Sequence, residues 1–193
     1  PIGIIYKGKN KSVEAFSHAN ERGKTSYYNR YGYTLNASFL RAPLKYKRIS
    51  SKFQLKRYHP ILKTYLPHRA VDYAADRGTP VVSTADGVVK LKGWKGALGK
   101  AVIIQHGANY TTVYAHLSKY ARNLRQGGSV KKGQVIGYVG STGRSTGPHL
   151  HYELRFKGER KDPLSYKLPK QQKVASSKLW GFHSQVNAIL ASL

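Results

Sequence analysis

Residues 147–154 contain two histidines, His149 and His151, with a single residue between them. Bulky and polar side chains alternate from here to Phe156, a pattern that predicts a β-strand. Because alternate residues of a strand point to the same face, the two imidazoles would stand side by side, about 7 Å apart. One imidazole could then hold a metal ion while its neighbour handles a proton.

Two other segments offer partners for such a metal ion. His68 and Asp72 are four residues apart, and His116 lies in the Tyr-Ala-His-Leu segment at residues 114–117. A straight strand would separate the Cα atoms of His68 and Asp72 by about 13 Å, so their joint ligation requires a bend near residues 69–70. Two imidazoles and one carboxylate leave a fourth position on zinc open for water, as in catalytic rather than structural zinc sites.

These residues also have a plain structural interpretation. A lone histidine, or one His-x-His pair, is more often an ordinary surface or core residue than a metal ligand. The chain contains only 8 acidic residues, however, and one of them, Asp72, lies near a histidine and ahead of an apolar run. This scarcity favours the metal-site interpretation.

The elements that must position these residues are predicted to be mainly short β-strands. Turn signals separate apolar runs at residues 71–74, 80–82, 87–91, 101–105, 111–115, 135–139 and 149–156. Many short strands with few helical windows predict a mainly β fold with an antiparallel sheet core. Residues 117–124 are predicted to form a short helical or turn segment.

Two segments flank this core. Residues 1–47 form strand-like runs, with a hairpin turn predicted at 29–32 between runs at 27–28 and 33–40. Near the other end, apolar residues recur at three- and four-residue steps from Leu179 to Leu193, which predicts an amphipathic helix. Packing against the N-terminal segment is favoured for this helix over binding to a partner. The predicted divisions are residues 1–47, 48–165 and 166–193, the last comprising a linker and the helix.

Several motifs together resemble the lysostaphin-type (LytM-domain) zinc endopeptidases. The resemblance rests on His68-x-x-x-Asp72, on residues 114–117, on the Gly-Ser-Thr-Gly segment 140–143 and on the Gly-Pro-His-Leu-His segment 147–151, in the family's order. It extends from about residue 48 to residue 163 and implies that residues 48–165 form a zinc peptidase domain. Residues 128–137 also resemble the turn of lipoyl and biotinyl hammerhead domains, but those carriers have no use for a histidine and aspartate set.

The family resemblance implies a site that holds Zn2+ through His68, Asp72 and His151. It implies that His116 and His149 are the catalytic pair that does not bind the metal. Their tasks would be to take a proton from water, to stabilise the oxyanion and to protonate the leaving amine. Which histidine performs which task is open.

Four further residues are candidates for supporting roles. His59 is a substrate-binding candidate by resemblance. Ser141 and Thr142 lie in a loop whose glycines let the backbone approach a substrate closely, although the loop is alternatively a simple turn before the last strand. Glu153 shares a strand face with the histidines and either orients a metal ligand or is an ordinary surface carboxylate.

The function that the resemblance implies is a zinc-dependent peptidoglycan hydrolase that cuts peptide stems or cross-links by metal-activated water. Residues 39–43 and 49–53 are closer to Gram-negative envelope members, which cleave D-Ala–diaminopimelate cross-links; an additional carboxypeptidase activity is left open. The alternatives are a Gly-Gly bridge endopeptidase and a degenerate member that has lost zinc and serves as an activator or binding module. The presence of all five motif residues argues against the degenerate member.

Composition limits the partners. The chain has 34 Lys and Arg against 8 Asp and Glu, a net charge of +26 that attracts polyanions. No nucleic-acid motif is present and the basic residues are scattered, so composition leaves an acidic cell-wall polymer, an anionic membrane face and a general solubility effect as alternatives. The family resemblance, rather than composition, implies peptidoglycan peptide stems as the partner, with anionic envelope surfaces as a further expected partner and no nucleic acid. The absence of cysteine excludes disulfides and a cysteine-based zinc site.

The expected location follows from the family resemblance, which implies an exported protein of the periplasm or cell envelope. The chain starts at Pro1 and contains no methionine, no long apolar run and no visible signal peptide. We therefore expect a processed or truncated part of a longer product, from which a signal peptide has been removed or is absent. An absent N-terminal region is expected to dock over the groove and hold the enzyme latent.

Overall fold

The computed structural model describes residues 3–8, 11–19, 23, 25–35, 38–59, 64–169 and 172–192. The chain divides into two compact units, residues 1–37 with 169–193 and residues 38–168. Residues 38–47, which the sequence-based division places in the N-terminal segment, group with the larger unit. The predicted functional division at residues 47 and 165 stays a prediction.

The smaller unit consists of an antiparallel sheet and a helix. The sheet follows the order β1 (Gly3–Gly8), β2 (Lys11–Ala19) and β3 (Thr25–Tyr28), and helix α1 spans Ser176–Ala191. Phe16 and Tyr28 of the sheet pack with Phe182 and Val186 of the helix in one buried cluster. The prediction of an amphipathic helix packed on the N-terminal segment is therefore confirmed. No helix in the described part of the chain is long and apolar enough to cross a membrane.

The described residues of the larger unit are mainly β-strands. In chain order these are β4 (Arg48–Ser51), β5 (Gln54–His59), β6 (Thr64–His68), β7 (Val71–Ala74), β8 (Pro80–Val82), β9 (Gly87–Trp94), β10 (Lys100–His106), β11 (Tyr110–Ala115), β12 (Leu117–Tyr120), β13 (Ser129–Val130), β14 (Val135–Val139), β15 (His149–Phe156) and β16 (Glu159–Lys161). The main sheet has the order β13-β9-β10-β11-β15-β7-β4, with β16 paired to β15. A second sheet has the order β12-β14-β8, and β5 pairs with β6. The pairings are antiparallel, which confirms the predicted fold class.

The core of the larger unit joins the main sheet to the β12-β14-β8 sheet. Val102, Ile104 and Tyr114 of the main sheet share one buried cluster with Val81 and Ile136 of the second sheet. Branched and aromatic side chains of this kind fit a pleated, buried surface. Burying one of them contributes about 1.5–3 kcal/mol, so this core fixes the strands that carry the chemistry.

Strand β15 has one core face and one face of polar side chains. Leu150, Tyr152 and Leu154 are buried in the core, whereas His149 and His151, at alternate positions, are on the opposite face. The period of two in the sequence therefore produces the predicted side-by-side histidines.

Two local predictions are only partly correct. Residues 117–120 form strand β12, because Leu117 is buried and pairs with Val139, a signal that the polar Ser118 and Lys119 obscure in the sequence. The predicted turn follows only at its end, where Leu124 N donates to Ala121 O at 3.1 Å. The turn predicted at residues 29–32 forms, with Gly32 N donating to Asn29 O at 2.9 Å. The described residues of 33–40, however, make only isolated bridges instead of the predicted strand.

Glycines fix the loop between β14 and β15. A Cβ on Gly140 would lie 2.4 Å from Ser118 N, and a Cβ on Gly143 would lie 2.4 Å from Gly99 N. Gly143 also has a φ of 75°, which side-chain-bearing residues rarely adopt. The loop therefore lies tightly against β12 and against the 3-10 turn Gly96–Leu98.

Candidate metal centre and active site

The bend predicted between His68 and Asp72 is present. Strand β6 ends at His68 and β7 starts at Val71, so the chain turns between them. The turn brings His68 Nε2 to 3.1 Å from Asp72 Oδ2. Two residues that a straight strand would separate thus share one site.

Strand pairing adds a third residue to this pair. His151 of β15 is the register partner of Asp72 on β7. Its Nδ1 lies 2.9 Å from Asp72 Oδ1. One ligand atom from each of His68, Asp72 and His151 therefore lies within 4.8 Å of the others, a separation that a single metal ion can bridge.

In His68 and in His151, the ring nitrogen that does not face Asp72 is bonded to another group. His68 Nδ1 is 3.0 Å from the carbonyl oxygen of Lys52, and His151 Nε2 is 3.4 Å from Glu153 Oε1. Metal-binding histidines commonly donate their second N–H to a carbonyl or carboxylate in this way. The arrangement leaves His68 Nε2 and His151 Nδ1 to face Asp72, and this donor set fits zinc.

The charges in this cluster favour a cation. Burial alone would raise the pKa of Asp72, but hydrogen bonds from His151 and His68 outweigh it and hold that pKa well below its usual range. Burial alone would lower the pKa of His151, but Asp72 and Glu153 raise it to about 9. Asp72 is therefore an ionised carboxylate that draws positive charge to its side.

His116 and His149 lie beside this group. Their ring centroids are 4.7 Å apart, and the His116 ring is 5.7 Å from that of His151. His116 Nδ1 donates to the carbonyl of Thr142 at 2.7 Å, and His149 Nδ1 donates to the carbonyl of Gly147 at 2.8 Å. Both histidines thus keep Nε2 for exchange with a bound molecule.

His116 has an unusual backbone and an uncharged ring. Its φ of 59° lies in the left-handed region, and His116 separates β11 from β12. Such strained positions cluster at functional sites. Burial lowers the pKa of His116 to about 4, so its imidazole is neutral at physiological pH.

All five predicted motif residues line one open cavity of about 630 Å³. The cavity brings together His68, Asp72, His116, His149 and His151. The candidate cation site of three residues and the two imidazoles that are not part of it, those of His116 and His149, therefore line the same cavity.

The weaker candidates have other surroundings. Thr142 is half-buried; its hydroxyl donates to Leu117 O at 2.8 Å and its carbonyl accepts from His116, so it positions that ring rather than lining the cavity. Ser141 donates to Ser145 at 2.9 Å and is not among the lining residues. His59 ends β5, and its side chain lies outside the described part. A substrate contact by any of these three stays a prediction.

Glu153 is not an ordinary surface carboxylate. Only 4% of it is exposed, and its Oε2 accepts from Arg155 Nε at 2.8 Å and from Arg160 Nε at 3.0 Å. Its other oxygen faces His151. The sequence shows Glu153 on the correct face but does not show the two arginines that hold it.

Two arginines of the cavity are not among the residues that the sequence predicts. Arg48 and Arg144 line the cavity but belong to no recognised motif. The only signal for Arg48 is its position at the start of a strand that pairs with the one carrying Asp72.

Comparisons with known proteins agree with this geometry. The model of peptidase family M23 matches residues 66–163, which contain all five motif residues. The DD-carboxypeptidase/endopeptidase Mpg of Neisseria meningitidis is 49% identical over 154 residues, covering 78% of this chain and 35% of that protein. The peptidoglycan DD-endopeptidase ShyA of Vibrio cholerae is 39% identical over 182 residues, covering 94% of this chain and 40% of that protein.

The fold of this chain is similar to that of a solved structure. A zinc-containing peptidase from Vibrio cholerae is 37% identical, with a TM-score of 0.67 over 86% of this chain and 50% of that one. The chain thus spans 35–40% of the length of these two relatives and half of the solved chain.

Proposed function

The chain belongs to peptidase family M23, and on that basis we propose that it is a zinc-dependent endopeptidase acting on the peptide cross-links of peptidoglycan. The observation that carries the proposal is the convergence of His68, Asp72 and His151 on one point, beside His116 and His149 in an open cavity. The names of the relatives Mpg and ShyA support the substrate.

Three residues of this chain would hold the ion. His68 would bind through Nε2, His151 through Nδ1 and Asp72 through its carboxylate, because these are the atoms that face one another. When bound, zinc supplies Lewis acidity that lowers the pKa of coordinated water to about 7 and polarises an amide carbonyl.

The histidine pair would handle protons and charge. His116 and His149 each offer Nε2 to a substrate, since Nδ1 of each is bonded to a backbone carbonyl. A neutral imidazole accepts a proton from water and returns it to the leaving amine. The backbone contacts of the two rings fix their direction before a substrate arrives, which lowers the entropic cost of reaching the reactive geometry.

Which peptide bond of peptidoglycan is cleaved is a more specific part of the proposal. Relatives named DD-endopeptidases favour cleavage of D-Ala–diaminopimelate cross-links over Gly-Gly bridges, and the name of Mpg favours an additional carboxypeptidase activity. The degenerate-module alternative is disfavoured because all five motif residues converge. Action on this polymer implies a place in the periplasm or cell envelope and a role in cell-wall growth and cell shape.

Purified protein is expected to hold about one zinc ion per chain. A chelator should stop hydrolysis of a soluble cross-linked muropeptide dimer, and added zinc should restore it. Elemental analysis and chromatography of the dimer measure both quantities. Hydrolysis that continues after the metal has been removed would contradict the proposal.

Glu153→Gln is expected to lower zinc affinity about 10- to 100-fold, the usual effect of losing a group that orients a metal ligand. The change removes the negative charge that faces His151 but keeps the size of the side chain. Competition with a chromogenic chelator measures the affinity. Glu159→Gln is the matched control, because Glu159 is exposed and pairs with Lys161 away from the cavity. Equal zinc affinity in both variants would assign Glu153 a purely structural role.

Binding to insoluble sacculi is expected to weaken steeply with salt, whereas hydrolysis of a saturating small dimer should change little. The net charge of +26 attracts an acidic polymer over long range, and the Debye length falls from about 10 Å at 0.1 M salt to about 3 Å at 1 M. Sedimentation measures binding, and His149→Ala serves as a variant that binds without degrading the polymer. Salt-insensitive binding would show that the charge serves another partner.

A further inference from the structure

Arg48 lies in the same cross-strand row as His149. In the main sheet His149 pairs with Ala74, and Ala74 pairs with Arg48. Directly paired residues of antiparallel strands point to the same face, so Arg48 shares the face of the catalytic group. Two strand spacings separate Arg48 from His149, about 10 Å between Cα atoms. The side chain between them is the small Ala74, over which an arginine can extend.

Arg144 approaches His149 from the loop that precedes β15. Its backbone N–H donates to Ala97 O at 2.8 Å, which ties the loop to the 3-10 turn. The hydroxyl oxygen of the next residue, Ser145, lies 3.3 Å from His149 Nδ1. Arg48 and Arg144 both line the cavity, as His149 does. The backbone of each arginine thus adjoins His149, one through strand pairing and the other through the preceding loop.

Neither guanidinium is neutralised by the protein within the described ranges. Among the residues that the structure describes, Asp72 is the only acidic one that lines the cavity, and it is already bonded to two histidines. The other described carboxylates have partners of their own, namely Glu14 with Arg30, Asp76 with Lys47, Asp86 with Lys131, Glu153 with Arg155 and Arg160, Glu159 with Lys161, and Asp162 with Ser165. Arg48 and Arg144 are therefore available to an anionic ligand.

We propose that Arg48 and Arg144 form a carboxylate-binding subsite at the His149 end of the cavity. The subsite takes the free carboxylate on the carbon that bears the scissile nitrogen. This carboxylate is favoured because it is the one nearest to the reacting amide, and the two arginines lie next to a catalytic histidine rather than along a distant groove. The assignment rests on the proposed function, since a diaminopimelate cross-link has such a carboxylate. A guanidinium binds a carboxylate through paired, charge-assisted hydrogen bonds.

The test compares two soluble cross-linked dimers, one with this carboxylate free and one with it converted to a primary amide. Wild-type protein should have a kcat/KM about 10-fold or more higher for the free carboxylate, as expected for loss of a charged hydrogen bond. Arg48→Gln should lose most of this preference, because its kcat/KM should fall for the free-carboxylate dimer and stay the same for the amide dimer. Its zinc content should be unchanged. Arg48→Lys should keep part of it, because lysine retains the charge without the paired geometry.

Arg144→Gln should also reduce the preference for the free-carboxylate dimer. Arg77→Gln is the control variant. Arg77 is exposed and lies outside the cavity, so its loss changes net charge by the same amount without touching the subsite. Where both dimers are cleaved, equal rates for the two in wild-type protein, or an equal loss for both in Arg48→Gln, would overturn the subsite.

A binding measurement separates this inference from the proposed function. Titration of wild-type protein with the two amine products, one with a free and one with an amidated carboxylate, requires no hydrolysis. Tighter binding of the free carboxylate, reduced in Arg48→Gln, supports the subsite even if neither dimer is cleaved. Failure of cleavage would then count against the peptidase proposal alone, and equal binding of both products would overturn the subsite alone.

Discussion

Asp72→Asn is expected to abolish zinc binding and dimer hydrolysis together. Asp72 is the residue that contacts both His68 and His151, and its carboxylate provides the negative charge of the three-residue group. Asparagine keeps the size of the side chain but removes that charge. The loss of zinc affinity should exceed the about 10- to 100-fold change typical of residues that only orient a ligand. Metal analysis after dialysis and turnover of the dimer measure the two losses.

Asp76→Asn is the matched control for this variant. Asp76 lies just beyond β7, is exposed and pairs with Lys47, so the substitution removes one negative charge outside the cavity. It should retain zinc and activity. Full zinc occupancy in Asp72→Asn would show that the ion binds elsewhere.

His149→Ala is expected to keep zinc and lose turnover by about 10²-fold or more, the usual contribution of a positioned acid or base. His151→Ala, two residues along the same strand, should lose zinc and turnover together. The reason for the difference is that only His151 is bonded to Asp72, whereas His149 is bonded to the carbonyl of Gly147. Zinc content and single-turnover rates of the two variants provide the comparison.

His116→Ala should behave like His149→Ala, because the His116 ring contacts His149 and its Nδ1 is bonded to Thr142. Circular dichroism should show the same β content in all three histidine variants. Release of zinc by His149→Ala but not by His151→Ala would reverse the assignment within the pair.

The sequence predicts the site better than the loops that support it. Period-two alternation placed His149 and His151 on one face of a strand, and the need for a bend between His68 and Asp72 followed from strand geometry alone. Both features depend on neighbours within a few residues. The pairing of His151 with Asp72 joins residues 79 positions apart, and only the motif order indicated it.

Features that depend on distant contacts were not predictable from local patterns. The polar atoms of Thr142 bond to His116, Lys100 and Leu117, three partners that no local pattern reveals. Arg48 was overlooked because its importance comes from a register across two strands rather than from a motif. Strand β12 was missed because pairing with β14, rather than its own composition, makes it a strand.

The most direct test of the central claim is digestion of purified sacculi by the zinc-loaded protein, with mass analysis of the released muropeptides. We expect that cross-linked dimers disappear and that monomers with intact glycan and an uncapped diaminopimelate amine accumulate. Asp72→Asn should leave the dimers unchanged. Sacculi that keep their dimers with the wild-type protein, or products cut in the glycan strand, would contradict the assignment of a zinc-dependent cross-link peptidase.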